Sequence, residues 1–219
     1  MRRCPVQARK VAGFTLIEAA IVLVVIGLIL GVVLQGQSLI RNAEYRSLKS
    51  DISDYQSAFY AFRDRYNRLP GDMPQSEVQA RILDNLPGPT GSNAGNGIIN
   101  DGPVCGGDNQ ESCMAWQHLR GAGLIRGDPF RAGEDASPSH PFGGVLSSFF
   151  TDAVTGQSFG HKMLITRLPG DIAQRLDDDI DGQGPDLGRV TCFTVSGGSG
   201  STCSEYPGQE DTTGVVLGL

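Results

Sequence analysis

RKVAGFTLIEAAIVLVVIGLIL, from Arg9 to Leu30, is the stretch on which the reading of the whole chain turns. Its apolar run begins at Phe14 and continues to Leu34, interrupted only by Thr15 and Glu18. As a helix that run would extend about 31 Å at about 1.5 Å per residue, which matches the hydrocarbon core of a bilayer. A carboxylate within such a span costs roughly 2.5–3.5 kcal/mol on insertion scales unless a cation accompanies it. Glu18 therefore requires a partner, and the run from Phe14 to Leu34 contains no basic residue.

The flanks set orientation and processing. Met1 to Gly13 carries Arg2, Arg3, Arg9 and Lys10 and no acidic residue. Positive charge ahead of a span holds that end in the cytoplasm and sends the body outward. A secretory signal would be cut after the apolar run at a small-x-small pattern, but here the chain continues through Gly31, Gly36 and Ser38 without a break. The better boundary is Gly13/Phe14. A cut there removes four of the 18 Lys+Arg, leaving 14 against 24 Asp+Glu and a formal net charge of −10. It also creates an amine on Phe14, four residues from Glu18.

A basic leader, Gly13 and then FTLIEAAIVLVVIGLIL resemble the N-terminus of type IV pilins and of the pseudopilins of type II secretion. The resemblance implies a membrane peptidase that cuts after Gly13, N-methylation of Phe14, and pairing of Glu18 with the N-terminal amine of a neighbouring subunit during assembly. Glu18 thereby acquires its cation from another copy, so the charge that penalises a lone helix in lipid favours stacking. One departure is Gln35, where many such proteins have a helix-kinking proline. Gly27, Gly31 and Gly36 could loosen the helix or allow close packing, although glycine is common in membrane helices without any special role.

Past Leu34 the pattern becomes amphipathic. Leu48, Ile52, Tyr55, Phe59, Phe62 and Tyr66 recur at alternating spacings of four and three, a single helical face read as core packing. A helix from Phe14 to about Tyr66 would be roughly 80 Å long. Leu69-Pro70-Gly71-Asp72 is expected to end it. RYNRLPGDMP also resembles the helix exit of pilin-like proteins, and the strict resemblance covers roughly the first 74 residues.

Residues 87–109 hold seven glycines and read as a loop. ESCMAWQHLRGAGLI follows as a short helix presenting Cys113, Trp116 and Leu119 on one face and stopping at Gly121 or Gly123, with Trp116 as a packing anchor. Strands are expected at Gly143–Phe150, Lys162–Leu168, Gly188–Val195 and Gly214–Leu219, with a short helix from Gly170 over GDIAQRLD. Helix first and hairpin-compatible strands later argue for an α+β class. The expected architecture is a pilin-like fold, a long N-terminal helix packed on a C-terminal antiparallel sheet. Its expected parts are a leader (1–13, removed), a transmembrane and assembly helix (14–34), its amphipathic continuation (35–69) and a periplasmic or extracellular head (70–219).

Of the five cysteines, Cys4 lies in the leader, while Cys105 with Cys113 and Cys192 with Cys203 form two close pairs. Their spacings match no CxxC zinc or redox pattern, so two local disulfides in an oxidising compartment lead over four buried thiols. Asp177, Asp179, Asp181 and Gly182 match the first half of an EF-hand loop, in which alternate carboxylates converge on Ca²⁺. The terminal bidentate Glu is missing, since Gly188 occupies the twelfth position, and a solvated acidic turn is the other reading. GQSFG places Gly156, Ser158 and Gly160 in G-x-S-x-G spacing beside His161, but a strand pattern follows it and no later histidine could complete a triad. His118, His140 and His161 lack metal-ligand spacing. Asn96, Asn100 and Asp101 read as a polar turn.

With a net charge of −6 and a pI near 5.0, bulk attraction to nucleic-acid phosphates is disfavoured. A mean hydropathy of −0.15 suits one membrane segment on a folded head. The combined expectation is a structural, non-enzymatic filament subunit that needs no cofactor, with structural calcium as the one candidate ion. Its implied partners are further copies or related pilin subunits, a prepilin peptidase, an assembly ATPase, inner-membrane platform proteins and the inner membrane itself. The alternative is a signal-anchored periplasmic enzyme or binding protein that does not polymerise.

Overall fold

The computed structural model describes residues 14–100, 105, 107, 109–151, 160–196, 199–203, 205–206 and 212–219. The chain divides into two compact units, Met1–Ala43 and Glu44–Leu219. Helix α1, Leu16–Tyr66, begins in the first and ends in the second.

In the first unit α1 has no core to build. Every residue from Phe14 to Gln35 is exposed. This helix is long and apolar enough to cross a membrane.

In the second unit α1 contributes Tyr45, Leu48, Ile52, Phe59, Phe62 and Tyr66 to the core, with Tyr55 half-buried beside them, as the spacing predicts. The helix ends at Tyr66, where the sequence places its end. Asn67 takes the left-handed conformation at φ 52° while its N–H still reaches the carbonyl of Arg63 at 2.8 Å, so asparagine caps the helix before the Pro-Gly turn begins. That turn then leads into α2, Gln75–Arg81, a short helix without a clear signal in the sequence reading.

Helix α3, Glu111–Gly121, is buried over nearly its whole length, and Gly123 at φ 71° follows it. Trp116 is fully buried, and its ring lies 4.6 Å from that of Phe149 and 5.1 Å from that of Tyr55. Its Nε1–H donates to the Ser147 carbonyl at 2.9 Å, so the indole bears the anchoring role its sequence suggests with its one donor satisfied.

The sheet comprises β1 (Leu146–Thr151), β2 (His161–Pro169), β3 (Val190–Ser196), β4 (Ser199–Thr202) and β5 (Thr212–Gly218) in the order β1-β2-β5-β3-β4, antiparallel throughout. Met163 opposite Leu217 and Ile165 opposite Val215 face the main core, whereas Leu164 and Val216 form a small cluster on the other face. The β2–β5 register shifts between Ile165 and Leu168, and within that shift Arg167 has φ 53°. Strand β4, in a Gly/Ser-rich stretch, is additional to the four expected. Helix α4, Gly170–Ile180, joins β2 to β3 and runs past the predicted GDIAQRLD segment.

Candidate functional site

The features with functional content begin at Phe14, which is 81% exposed. Thr15 precedes the first helical residue, and its Oγ1 accepts the N–H of Glu18 at 3.3 Å. T-L-I-E has the spacing of a capping box, in which an N-cap hydroxyl serves the N3 amide and the N3 residue is acidic. In the sequence this signature is hidden behind the charge of Glu18 in an apolar run, since it shows only once the helix start at Leu16 is fixed. A carboxylate in the first turn is also favoured by the unpaired N–H groups and the helix dipole. Glu18 is exposed, and the apolar side chains from Leu16 onward surround the helix on all sides and are exposed among the described residues. A Cβ added at Gly27, Gly31 or Gly36 would meet nothing within 4 Å, so these glycines leave open strips along the helix. Gly13, the leader cations Arg2, Arg3, Arg9 and Lys10, and Cys4 lie outside the described residues.

The head places the remaining predicted residues. Cys105 is joined to Cys113 with their Cα atoms 5.2 Å apart, and Cys192 to Cys203 at 5.3 Å. Each bridge closes a short loop.

The acidic turn does not take the shape its spacing predicts. Because α4 continues to Ile180, Asp177 and Asp179 stand on a helix about 200° apart rather than in a cation loop. Asp179 is turned to α1: its Oδ2 accepts from the Tyr45 hydroxyl at 2.6 Å and from Lys49 Nζ at 3.0 Å. Those two donors hold its carboxyl below the usual range. Asp177 is buried, accepts the Gly184 N–H at 3.0 Å, and has its carboxyl pushed up by burial and then by Asp181 beside it. Asp181 accepts the Arg189 N–H, closing the turn into β3. Among the described residues no group of three or more His, Cys, Asp or Glu side chains is arranged to hold a metal. These three residues fasten α4 to α1 and to the loop behind it.

Gly156 and Ser158 of GQSFG, and Asp101, also lie outside the described residues. His161 opens β2, so a strand follows the motif where a nucleophile elbow needs a helix. The histidines are dispersed. His118 on α3 is fully buried; its Nδ1 accepts the Gly71 N–H at 2.9 Å, which assigns the proton to Nε2, 2.9 Å from the Pro87 carbonyl. Burial pushes its pKa down to about 4. His140 Nε2 lies 2.8 Å from the Thr166 carbonyl and its Nδ1 receives the Phe142 N–H.

The polar turn at Asn96 and Asn100 is organised by two buried carboxylates. Asp72 accepts N–H groups from Gly95 at 2.8 Å, Asn96 at 3.2 Å and Gly97 at 2.8 Å. Glu111 accepts from the Asn100 backbone at 2.7 Å and from its side-chain amide at 2.8 Å. Gly71 adopts φ 91°, and a Cβ there would come within 2.2 Å of the Glu111 carbonyl oxygen, so LPGD is a packing junction as well as a turn.

Residues 8–34 match the family described as the prokaryotic N-terminal methylation motif. That match supports the likeness to type IV pilins and pseudopilins, implies a prepilin peptidase and pilin-type partners, and with the apolar helix points to membrane anchoring. No curated protein and no solved structure matches the chain.

Proposed function

We propose that the protein is a structural subunit of a type IV pilus-like or type II secretion pseudopilus filament. A prepilin peptidase cuts after Gly13, Phe14 is N-methylated, and Glu18 pairs with the Phe14 amine of an adjacent copy as helices stack. An assembly ATPase and membrane platform supply the work, and the head stays on the periplasmic or extracellular side. One observation carries this reading: the methylation motif at residues 8–34 coincides with a helix exposed on every side and bearing a single carboxylate in its first turn. Such a surface is stable only in lipid or against further helices, and the lone carboxylate selects partners that bring a cation. The three-amide cradle at Asp72 and the buried core suit a head that gives shape to a filament surface.

Intact mass and N-terminal sequencing of the protein from membranes and from a sheared surface fraction test the proposal. A chain beginning at methylated Phe14 is expected, in the sheared fraction for a pilus subunit and confined to membranes for a pseudopilin. A chain beginning at Met1 in cells with active prepilin peptidase would overturn it in favour of the anchored, non-polymerising alternative.

A further inference from the structure

Between α1 and the loop that follows α3 lies a cavity of about 670 Å³, lined among others by Tyr55, Arg120, Arg126, Arg131 and Glu134. A second cavity of about 660 Å³ adjoins it through Tyr55 and Arg126. Arg120 is the unusual member. Its Nε and Nη1 are buried with no hydrogen-bond partner among the described residues. Two orphaned guanidinium donors represent a desolvation cost that folding alone does not recover. Arg131 is close enough to repel the same guanidinium, and burial with that repulsion pushes its pKa down. Gly127 explains how Arg120 is held there: at φ 125°, any Cβ on it would come within 2.7 Å of Arg120 Nε, so only glycine lets the backbone lie against the guanidinium.

Asp128 offsets part of this, drawing the guanidinium's pKa back up, but no acid nearby supplies a hydrogen-bond partner to the two orphaned donors. Asp128, Glu134 and Asp135 line the same cavity, are exposed, and form no ion pair within 4 Å with a described residue. Asp128 instead accepts the Phe130 N–H at 2.9 Å. Buried positive donors at depth and free carboxylates at the mouth describe a receptor whose charges are complementary to an anion and a cation on one small ligand. The cavity's size is that of a small-molecule pocket.

We propose that this cavity binds a small zwitterion such as an amino acid or short peptide, with its carboxylate on Arg120 and Arg131 and its ammonium toward Glu134 and Asp135. The carboxylate satisfies the two orphaned donors and separates the like-charged guanidiniums. Charge-assisted hydrogen bonds of this kind are the strong class, and a half-enclosed pocket screens them less than open water does. The inference is independent of the filament role, since it rests on the head alone.

Trp116 provides the readout. It is the only tryptophan, and its ring is in edge contact with Tyr55 at the cavity wall. The full chain in neutral detergent micelles is titrated with glycylglycine, acetate and ethylamine while Trp116 fluorescence and the melting temperature are followed. A saturable response to glycylglycine is expected, with acetate roughly tenfold weaker or more and ethylamine inert. Arg120→Gln and the exposed Arg131→Gln are each expected to weaken glycylglycine binding by roughly tenfold. Arg131→Gln covers the case in which removing Arg120 disturbs the fold. No saturable response to glycylglycine, an unchanged response in the Arg131→Gln chain, or acetate binding as tightly as the dipeptide would each overturn the proposal.

Discussion

Helix α1 contains two regions that meet hydrophobicity in opposite ways. From Phe14 to Leu34 the apolar residues cover the whole circumference, and all of them are exposed. From Tyr45 to Tyr66 they occupy one stripe, and that stripe is buried. A striped helix can be satisfied by its own sheet, whereas one apolar on all sides cannot be satisfied by any single face of a small head. Continuity of secondary structure therefore says little about continuity of environment; the number of apolar faces decides it.

The contrast breaks most sharply at Trp116. Trp116→Ala is expected to lower head stability by about 3–5 kcal/mol, because a fully buried indole and its bond to Ser147 are removed together. Thermal unfolding of the full chain in detergent, followed by near-ultraviolet circular dichroism, measures it.

Acid should act almost as strongly on the head. His118 is neutral when folded and its pKa lies near 4, below the unfolded value of about 6.5. Below about pH 6.5 the unfolded chain takes up a proton that the folded chain refuses, so stability is full above that pH and falls as pH drops toward 4, by on the order of 3 kcal/mol in all. Burial also depresses His140 and His161, which adds to the loss in the same direction. A pH series of denaturation midpoints in which His118→Gln leaves the slope unchanged would assign the effect elsewhere.

A smaller cost is expected at the loop. Asp72→Asn replaces one charged acceptor oxygen with a donor facing backbone N–H groups and should cost about 1–3 kcal/mol, with faster amide exchange confined to Gly95, Asn96 and Gly97. The smallest effect lies in the first region. Glu18→Ala and Leu23→Ala should leave the head's melting transition within about 0.5 kcal/mol, since both side chains are exposed. Glu18→Ala should nevertheless cut recovered filament roughly tenfold or more, the loss of one charge-assisted contact in lipid. A head destabilised by Glu18→Ala would erase the comparison.

The periodic parts of this chain were legible because periodicity is a physical record of burial. The stripe from Leu48 to Tyr66, the helix around Trp116 and four of the five strands could be read from spacing alone. Strand β4 could not, because Ser199–Thr202 has no side-chain pattern and owes its pairing to β3. At the acidic turn the spacing of Asp177, Asp179 and Asp181 does not say where α4 ends, because the burial of Ile172, Ala173 and Leu176 carries the helix on to Ile180. Glu18 stood out by charge, while its cap by Thr15 needed the helix start to be fixed. Arg120 left no local signature, since its orphaned state depends on Gly127 and Arg131 folding back onto it.

The order of the sheet also dictates when the head can be finished. Strand β5 sits between β2 and β3, yet it follows every other strand along the chain. A chain delivered N-terminus first thus has its membrane helix in place while β1-β2 and β3-β4 are still two separate hairpins, each with an open edge able to pair with another chain. Arrival of Thr212–Gly218 joins them. Anchorage therefore precedes completion of the sheet, and during that interval tethering to the membrane limits which strangers the open edges can meet.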